Sequence, residues 1–403
     1  MDRSRRSVLL TIVVVVALFF IADPFNLLPS PGMVRRPSVS TSLLEDTRAY
    51  IREVHEDPVS YVTSLFDRHD LVFIGEFGRI REHVTFIHEL IPVLHDAGIR
   101  HLGLQHAIFD DQERIDELLS SDSYDEELVE SFLFNRLVIW GFQEYADIFR
   151  AAWEVNRNLG PGEEPFRIIG LNIGQDYAPI QTEEDMEDQS KLRLVLEPGI
   201  PDEVMAQNVF SEIVDPGHRA VIFTEIEHSF TGFENLEYRD RMAELGYTDA
   251  RRLGNIVYDR IGERAVNVYL HGPWPDSESP TQIGYAADGL IDAAIRVLPP
   301  EMGEGGFDIT SGVLSEVPIR SGSYTYERED LTLGELADGY VYFGQVTELS
   351  PVTAIDGFFD EDNIDEAIAN FPGPKPEDVG AEELNDYLRS IPTNLSRALE
   401  EFN

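Results

Sequence analysis

The sequence predicts an α/β fold: a mostly parallel central sheet flanked by helices, with a small mixed C-terminal region and an N-terminal membrane segment. Three observations predict it. Short β-branched runs alternate with amphipathic stretches of helical period, the pattern of crossover units. Polar residues able to move protons or bind metals follow five of those runs. The first 28 residues stand apart, with three arginines ahead of an apolar run.

Residues 1–28 open with Arg3, Arg5 and Arg6 and run apolar from Val8 to Ala22, broken only by Thr11. At about 1.5 Å per residue that run reaches roughly 23 Å, against a hydrocarbon core of roughly 30 Å, so a span also needs Phe25 to Leu28. No A-x-A pattern precedes Asp23, and Phe20 falls where cleavage prefers a small residue, so a retained anchor is favoured over a cleaved leader. Ser4-Arg5-Arg6-Ser7 resembles a twin-arginine export signal. The arginines hold the amino end in the cytoplasm, which places the bulk outside the cell membrane, tethered or, after cleavage, secreted. Residues 29–42 have the Pro, Ser and Gly content of a flexible linker, and folding is expected to begin near Leu43.

Strands are expected at 71–75, 101–105, 166–171, 220–224, 265–270 and 339–343. Helices are expected at 81–96, 112–120, 126–135, 144–158, 202–213, 238–245, 251–261 and 289–297. Residues 175–198 are polar without a clear period and read as an excursion or lid. Residues 299–338 mix Gly, Ser and short strands, suiting an antiparallel edge or a small cap. The α/β domain then covers 43–345, and 346–403 forms a helical tail with helices at 362–371 and 381–400.

With 31 basic and 75 acidic side chains in 403 residues, the formal charge is −44. Such a field repels nucleic acid and anionic headgroups, so the membrane contact expected is the N-terminal helix alone. Only Lys191 and Lys375 are lysines. Acid excess with almost no lysine resembles proteins adapted to concentrated salt. There is no cysteine, which excludes disulfides, thiol nucleophiles and iron–sulfur sites, and any metal must sit on His, Asp and Glu. The oligomeric state is left open by the sequence.

An open parallel sheet gathers ligands at the carboxyl ends of its strands. Glu76 follows the first run; Gln105 and His106 end the second; Asn172 and Asp176 follow the third; Glu225, Glu227 and His228 follow the fourth; His271 follows the fifth. Glu76 and His228 are the candidate acid–base residues, and Gln105, Asn172, Asp176 and His271 the candidate ligand contacts. Glu76, His83, His106 and His228 are the candidate metal donors. His88 and His95 share the packing face of one helix, and His55, His69, His101 and His218 lie away from the crevice, so none is given a role. Ser229 lacks the Gly-x-Ser-x-Gly elbow of a nucleophile.

Gly75-Glu76, His83 in the following helix, Asp111-Gln112, Glu227-His228-Ser229 and the closing Asp338-Gly339 together resemble the superfamily of ChaN-like haem-uptake proteins, erythromycin-esterase-like enzymes and Tiki proteases, over about residues 45–345. The resemblance implies a strand-end crevice for a small-molecule or peptide ligand, with haem or a divalent metal as the implied cofactor. For haem, Tyr177 and His106 are the ligands suggested by placement. Members of the superfamily carry Gly-Glu-x-His and a glutamate at the next strand end; here those positions are Gly78 and Gln105. Glutamine keeps the shape and the acceptor oxygen but deletes the charge and the basicity. A ligand-binding domain with a degenerate hydrolase site is therefore expected. The alternatives are an active metal-dependent or His/Glu acid–base hydrolase of an ester, amide or phosphoester, and a structural or interaction module.

Overall fold

Strands buried on both faces read as near-continuous apolar runs, and β1 (Leu71–Glu76) is such a strand, closed to solvent along its whole length. The computed structural model describes residues 39–275, 283–320, 322–328, 330–376 and 379–402. After β1 come β2 (His101–Ile108), β3 (Arg167–Asn172), β4 (Ala220–Glu225), β5 (Ala265–Leu270), β6 (Trp274–Pro275), β7 (Ile283–Gly284), β8 (Gly305–Asp308) and β9 (Gly339–Tyr342). Seven of them form one sheet in the order β3-β2-β4-β1-β5-β9-β8, parallel throughout except where β8 runs against β9. All six expected strands are present. The antiparallel edge expected within 299–338 is β8. The short pair β6 and β7 forms a separate antiparallel ribbon.

The period of two sorts the sheet's faces. Val72 and Ile74, Leu102 and Leu104, and Val221 and Phe223 join one core. Leu71, Phe73 and Ile222 face the opposite one, against Met205, Val209, Leu253 and Val257. The first core is covered by the helices Arg81–Asp96 and Gln143–Arg157, and Val84, Ile87, Leu90, Ile91 and Leu94 form the apolar stripe of the former. That helix ends at Gly98, whose φ of +79° is the left-handed conformation glycine adopts without a Cβ penalty. Bonds from Gly98 N to His95 O and from Ile99 N to Leu94 O close the turn.

The expected helix at 202–213 is an α-helix over Pro201–Val209 continued by a π-helical turn, Phe210–Val214. Residues 175–198 hold a short 3₁₀ turn and the helix Gln189–Val195. The C-terminal helix Ala381–Glu400 is no loose appendage. Leu384, Leu388 and Ile391 enter the first core, and Leu395 and Leu399 pack with Ile80 and Val346. The expected membrane segment, residues 1–28, and the linker as far as residue 38 lie outside the described residues. Among the described residues no helix is long and apolar enough to cross a membrane. The first described helix, Thr41–Val54, starts inside the expected linker, capped by Ser40.

Candidate active site

Adjacency in the sheet decides which strand ends can meet. β4 lies between β2 and β1, with Glu76 in register beside Glu225. Continuing the alternation of Val72 and Ile74, the Glu76 side chain points into the first core. There it is fully buried, and Tyr145 Oη donates to Oε1 at 2.8 Å and to Oε2 at 2.9 Å. The same hydroxyl accepts from the Arg79 amide at 3.0 Å. His106 Nε2 stands 3.1 Å from Glu76 Oε1. Its ring is stacked on Trp140 at 5.2 Å and tilted against Tyr145 at 4.5 Å. The contact is misaligned for a hydrogen bond, and neither ring nitrogen of His106 has a directed partner.

Burial drives the Glu76 carboxyl well above its usual range; the Tyr145 hydrogen bond opposes this, the charge of Glu225 adds to it, and Arg79 opposes it. Burial also pushes His106 well below the usual imidazole range, helped by Arg136, His228 and Arg79. With no solvent at either group, the pair is held as a neutral carboxylic acid beside a neutral imidazole rather than as an ion pair.

A second pair lies just beyond β4. His228, in the short helix Ile226–Ser229, has Nδ1 2.6 Å from Oδ1 of Asp202, and both residues are buried. Asp202 Oδ1 also accepts from Leu253 N at 2.8 Å, and Oδ2 from Arg252 Nη1 at 3.2 Å. Arg252 in turn donates to Glu227 at 2.5 Å and lies over the Tyr238 ring. Burial raises Asp202, but the charges of His228 and Arg252 and the hydrogen bonds from His228 and Leu253 outweigh it and hold the carboxyl at about 2. An ionised carboxylate on Nδ1 fixes the imidazole's tautomer and orientation.

Gln105 does not present its amide to a ligand. Its Nε2 donates to Glu225 Oε2 at 2.9 Å and its Oε1 accepts from the Glu225 amide at 2.7 Å, so it holds Glu225 in place. Gly78 bears on the same carboxylate, because a Cβ there would stand 3.3 Å from Glu225 Oε1 and 3.9 Å from Trp140. The two departures from the superfamily pattern thus meet at one half-buried glutamate.

Other expected site residues are used elsewhere. His83 Nε2 donates to the His271 carbonyl at 3.0 Å, away from Glu76. His271 contacts Tyr340 Oη at 2.7 Å and Asp292 at 3.3 Å, in a buried cluster at the end of β5. Asn172 donates to the Gln105 carbonyl and accepts from Ile173 N, a backbone-bracing role. Asp176 is exposed and closes a turn on Ala178 N. The expected metal set of Glu76, His83, His106 and His228 is therefore not one donor group. His83 belongs to the β5 cluster, His228 is turned to Asp202, and among the described residues no three His, Asp or Glu side chains are arranged to hold a metal ion. Haem fits no better at His106, whose ring is enclosed and whose nitrogens are closed off. Sequence reading missed Tyr145, Trp140, Asp202, Arg252, Arg79 and Arg136. The one available signal was Asp202 directly after Pro201 at a helix start, and that pattern is ordinary.

No family model and no curated protein matches the sequence. Among solved structures, the chain is similar to a Bacillus cereus protein at a TM-score of 0.53 and 13% identity, over 79% of this chain and 100% of that one. It is also similar to a succinoglycan biosynthesis protein at a TM-score of 0.51 and 9% identity, over 78% of this chain and 100% of that one. These likenesses show a shared fold. A mutant of the erythromycin esterase EreC in its open conformation is similar over 75% of this chain and 96% of that one, at 11% identity and a TM-score of 0.45.

Proposed function

We propose that this domain is a metal-independent acid–base hydrolase of a small-molecule ester. The observation that carries the reading is the Asp202–His228 contact at 2.6 Å, beside the neutral Glu76–His106 pair. Environments that push paired titratable groups apart mark acid and base assignments. Asp202 is ionised and orients His228, while Glu76 keeps its proton. His228 Nε2 takes a proton from water as the water oxygen bonds to the acyl carbon; the ester C–O bond then breaks, and Glu76 protonates the departing oxygen. Before the next turnover His228 gives up its proton and Glu76 takes one up, which restores the starting states. Glu225, the half-buried carboxylate held by Gln105, stands beside Glu76 in the sheet. The fold likeness to solved structures supports the architecture, and the chemistry rests on this geometry.

The test is hydrolysis of 4-nitrophenyl acetate and of mono-(4-nitrophenyl) succinate by the purified chain in potassium chloride with excess EDTA. Turnover that persists with EDTA and falls by about 100-fold or more in His228→Ala and Asp202→Asn supports the reading. Turnover that disappears with EDTA, or survives both substitutions, overturns it.

One observation favours a second reading, a ligand-binding domain without turnover. Gln105 and Glu225 satisfy each other, as in a site kept for shape. Binding of the same esters with no release of nitrophenol selects it. With either reading we propose a place outside the cytoplasm, with residues 1–28 as the anchor and a small molecule as the partner. Recovery of the full chain in the soluble cytoplasmic fraction would count against that location.

A further inference from the structure

We propose that Arg79 and Arg136 form an oxyanion-binding pair at this site, so that the ligand carries a carboxylate or phosphate group. The proposal names the substrate class and rests on the acid–base reading above. Many arginines of this acidic molecule take carboxylate partners, among them Arg167 on Asp116, Arg252 on Asp202 and Glu227, and Arg114 on Asp111. Arg136 does not. It is 4% exposed, its Nε donates to the Gln105 carbonyl at 3.2 Å, and its Nη1 has no hydrogen-bond partner. No carboxylate among the described residues lies within ion-pair distance of it. Glu225 acts on it only at a distance, and a buried guanidinium without a carboxylate in contact is costly, so in a chain with 75 carboxylates the omission calls for a reason.

Arg79 repeats the pattern from the other side. Its Nε and Nη2 are buried without partners, and its guanidinium lies over Trp140 at 4.5 Å. Its φ of +70° is the left-handed conformation that a side-chain-bearing residue seldom adopts, and such strain collects at ligand sites. Both arginines border His106: Trp140, which carries Arg79 on its face, is stacked on that ring, and Arg136 Nε holds the carbonyl of Gln105, the residue before it. Arg136 also lines a cavity of about 160 Å³ with Asn135, Val138, Gln175 and Tyr177 beyond the end of β2. Two planar donor forks with unpartnered N–H groups near one imidazole carry the chemistry by which arginine recognises carboxylate and phosphate oxygens.

The experiment is isothermal titration of the full chain with inorganic phosphate and, separately, with benzoate, at constant potassium chloride. Wild type should bind at least one of the two, and which one identifies the group. Arg79→Gln and Arg136→Gln should each weaken that binding by about tenfold or more. Arg136→Lys, which keeps the charge if the glutamine variant does not fold, should retain part of it, and exposed Arg68→Gln should change nothing. His228→Ala should bind the anion as wild type does even where hydrolysis is lost. Failure of the hydrolase reading therefore shows as absent turnover with anion binding intact. Absence of binding by wild type to both anions, or binding that survives Arg79→Gln and Arg136→Lys unchanged, overturns the proposal.

Discussion

His83 illustrates how a side chain with site-like chemistry is spent on structure. It is fully buried against the Phe343 ring and the β5 end, and burial pushes its pKa down to about 4, with its hydrogen bond to the His271 carbonyl opposing and the His271 charge adding. Its folded value thus lies below the ordinary 6.5, so the unfolded chain takes up the proton first as pH falls. The stability contributed by neutral His83 is fully present above 6.5 and is lost as pH falls from there toward about 4. One group gives a slope of about 1.4 kcal/mol per pH unit. Urea unfolding at pH 7, 5.5 and 4.5 should show a shallower decline for His83→Gln than for wild type. A gap between the two proteins that does not change with pH would contradict this. The residues that proved central were legible unevenly. Glu76, His106 and His228 could be read because each follows an apolar run. Their partners could not, because Tyr145 lies 69 residues from Glu76 and Asp202 lies 26 residues from His228, on helices of opposite layers. Contacts across that much chain leave no local pattern.

Elements set the precision of this site, and the helix Leu253–Ile261 shows how. Its first residues deliver the Leu253 amide and the Arg252 guanidinium to Asp202. They reach it because Gly254 lets the helix press against the turn after β4; a Cβ there would stand 2.4 Å from the Phe230 carbonyl oxygen and 2.7 Å from that of Ser229. Gly254→Ala should therefore push the helix outward, lowering stability by about 1–3 kcal/mol and detaching the groups that keep Asp202 ionised. Gly232→Ala, where a Cβ meets nothing within 4 Å, should stay within about 0.5 kcal/mol of wild type. Equal urea midpoints for the two variants would show that the close approach does not matter. Elements of this length were legible because four or more residues carry a period: the six main strands and the helices Arg81–Asp96 and Gln112–Ser120 stand where the pattern puts them. The two-residue ribbon of β6 and β7 and the π turn after Val209 were not, since neither is long enough to repeat.

At the scale of the whole molecule the governing quantity is charge, which composition alone reveals because it needs no fold. A net −44 on one folded body raises its free energy through self-repulsion, while the unfolded chain relieves that repulsion by spreading. The arginine ion pairs relieve part of it locally, as at Arg150 and Glu126 or Arg260 and Asp215, but most of these lie at the surface and contribute little each. Salt acts on the remainder. The screening length shortens from about 10 Å at 0.1 M to about 3 Å at 1 M, so the repulsion fades while the buried Asp202–Arg252 pair is barely touched. Melting temperature should therefore rise steeply with potassium chloride up to about 1 M and flatten beyond it. Stabilisation by exclusion of solute from the surface predicts a different curve, still climbing above 1 M and matched by sucrose. A melting temperature that does not respond to potassium chloride, or that sucrose raises equally, would mean that charge repulsion does not limit this fold.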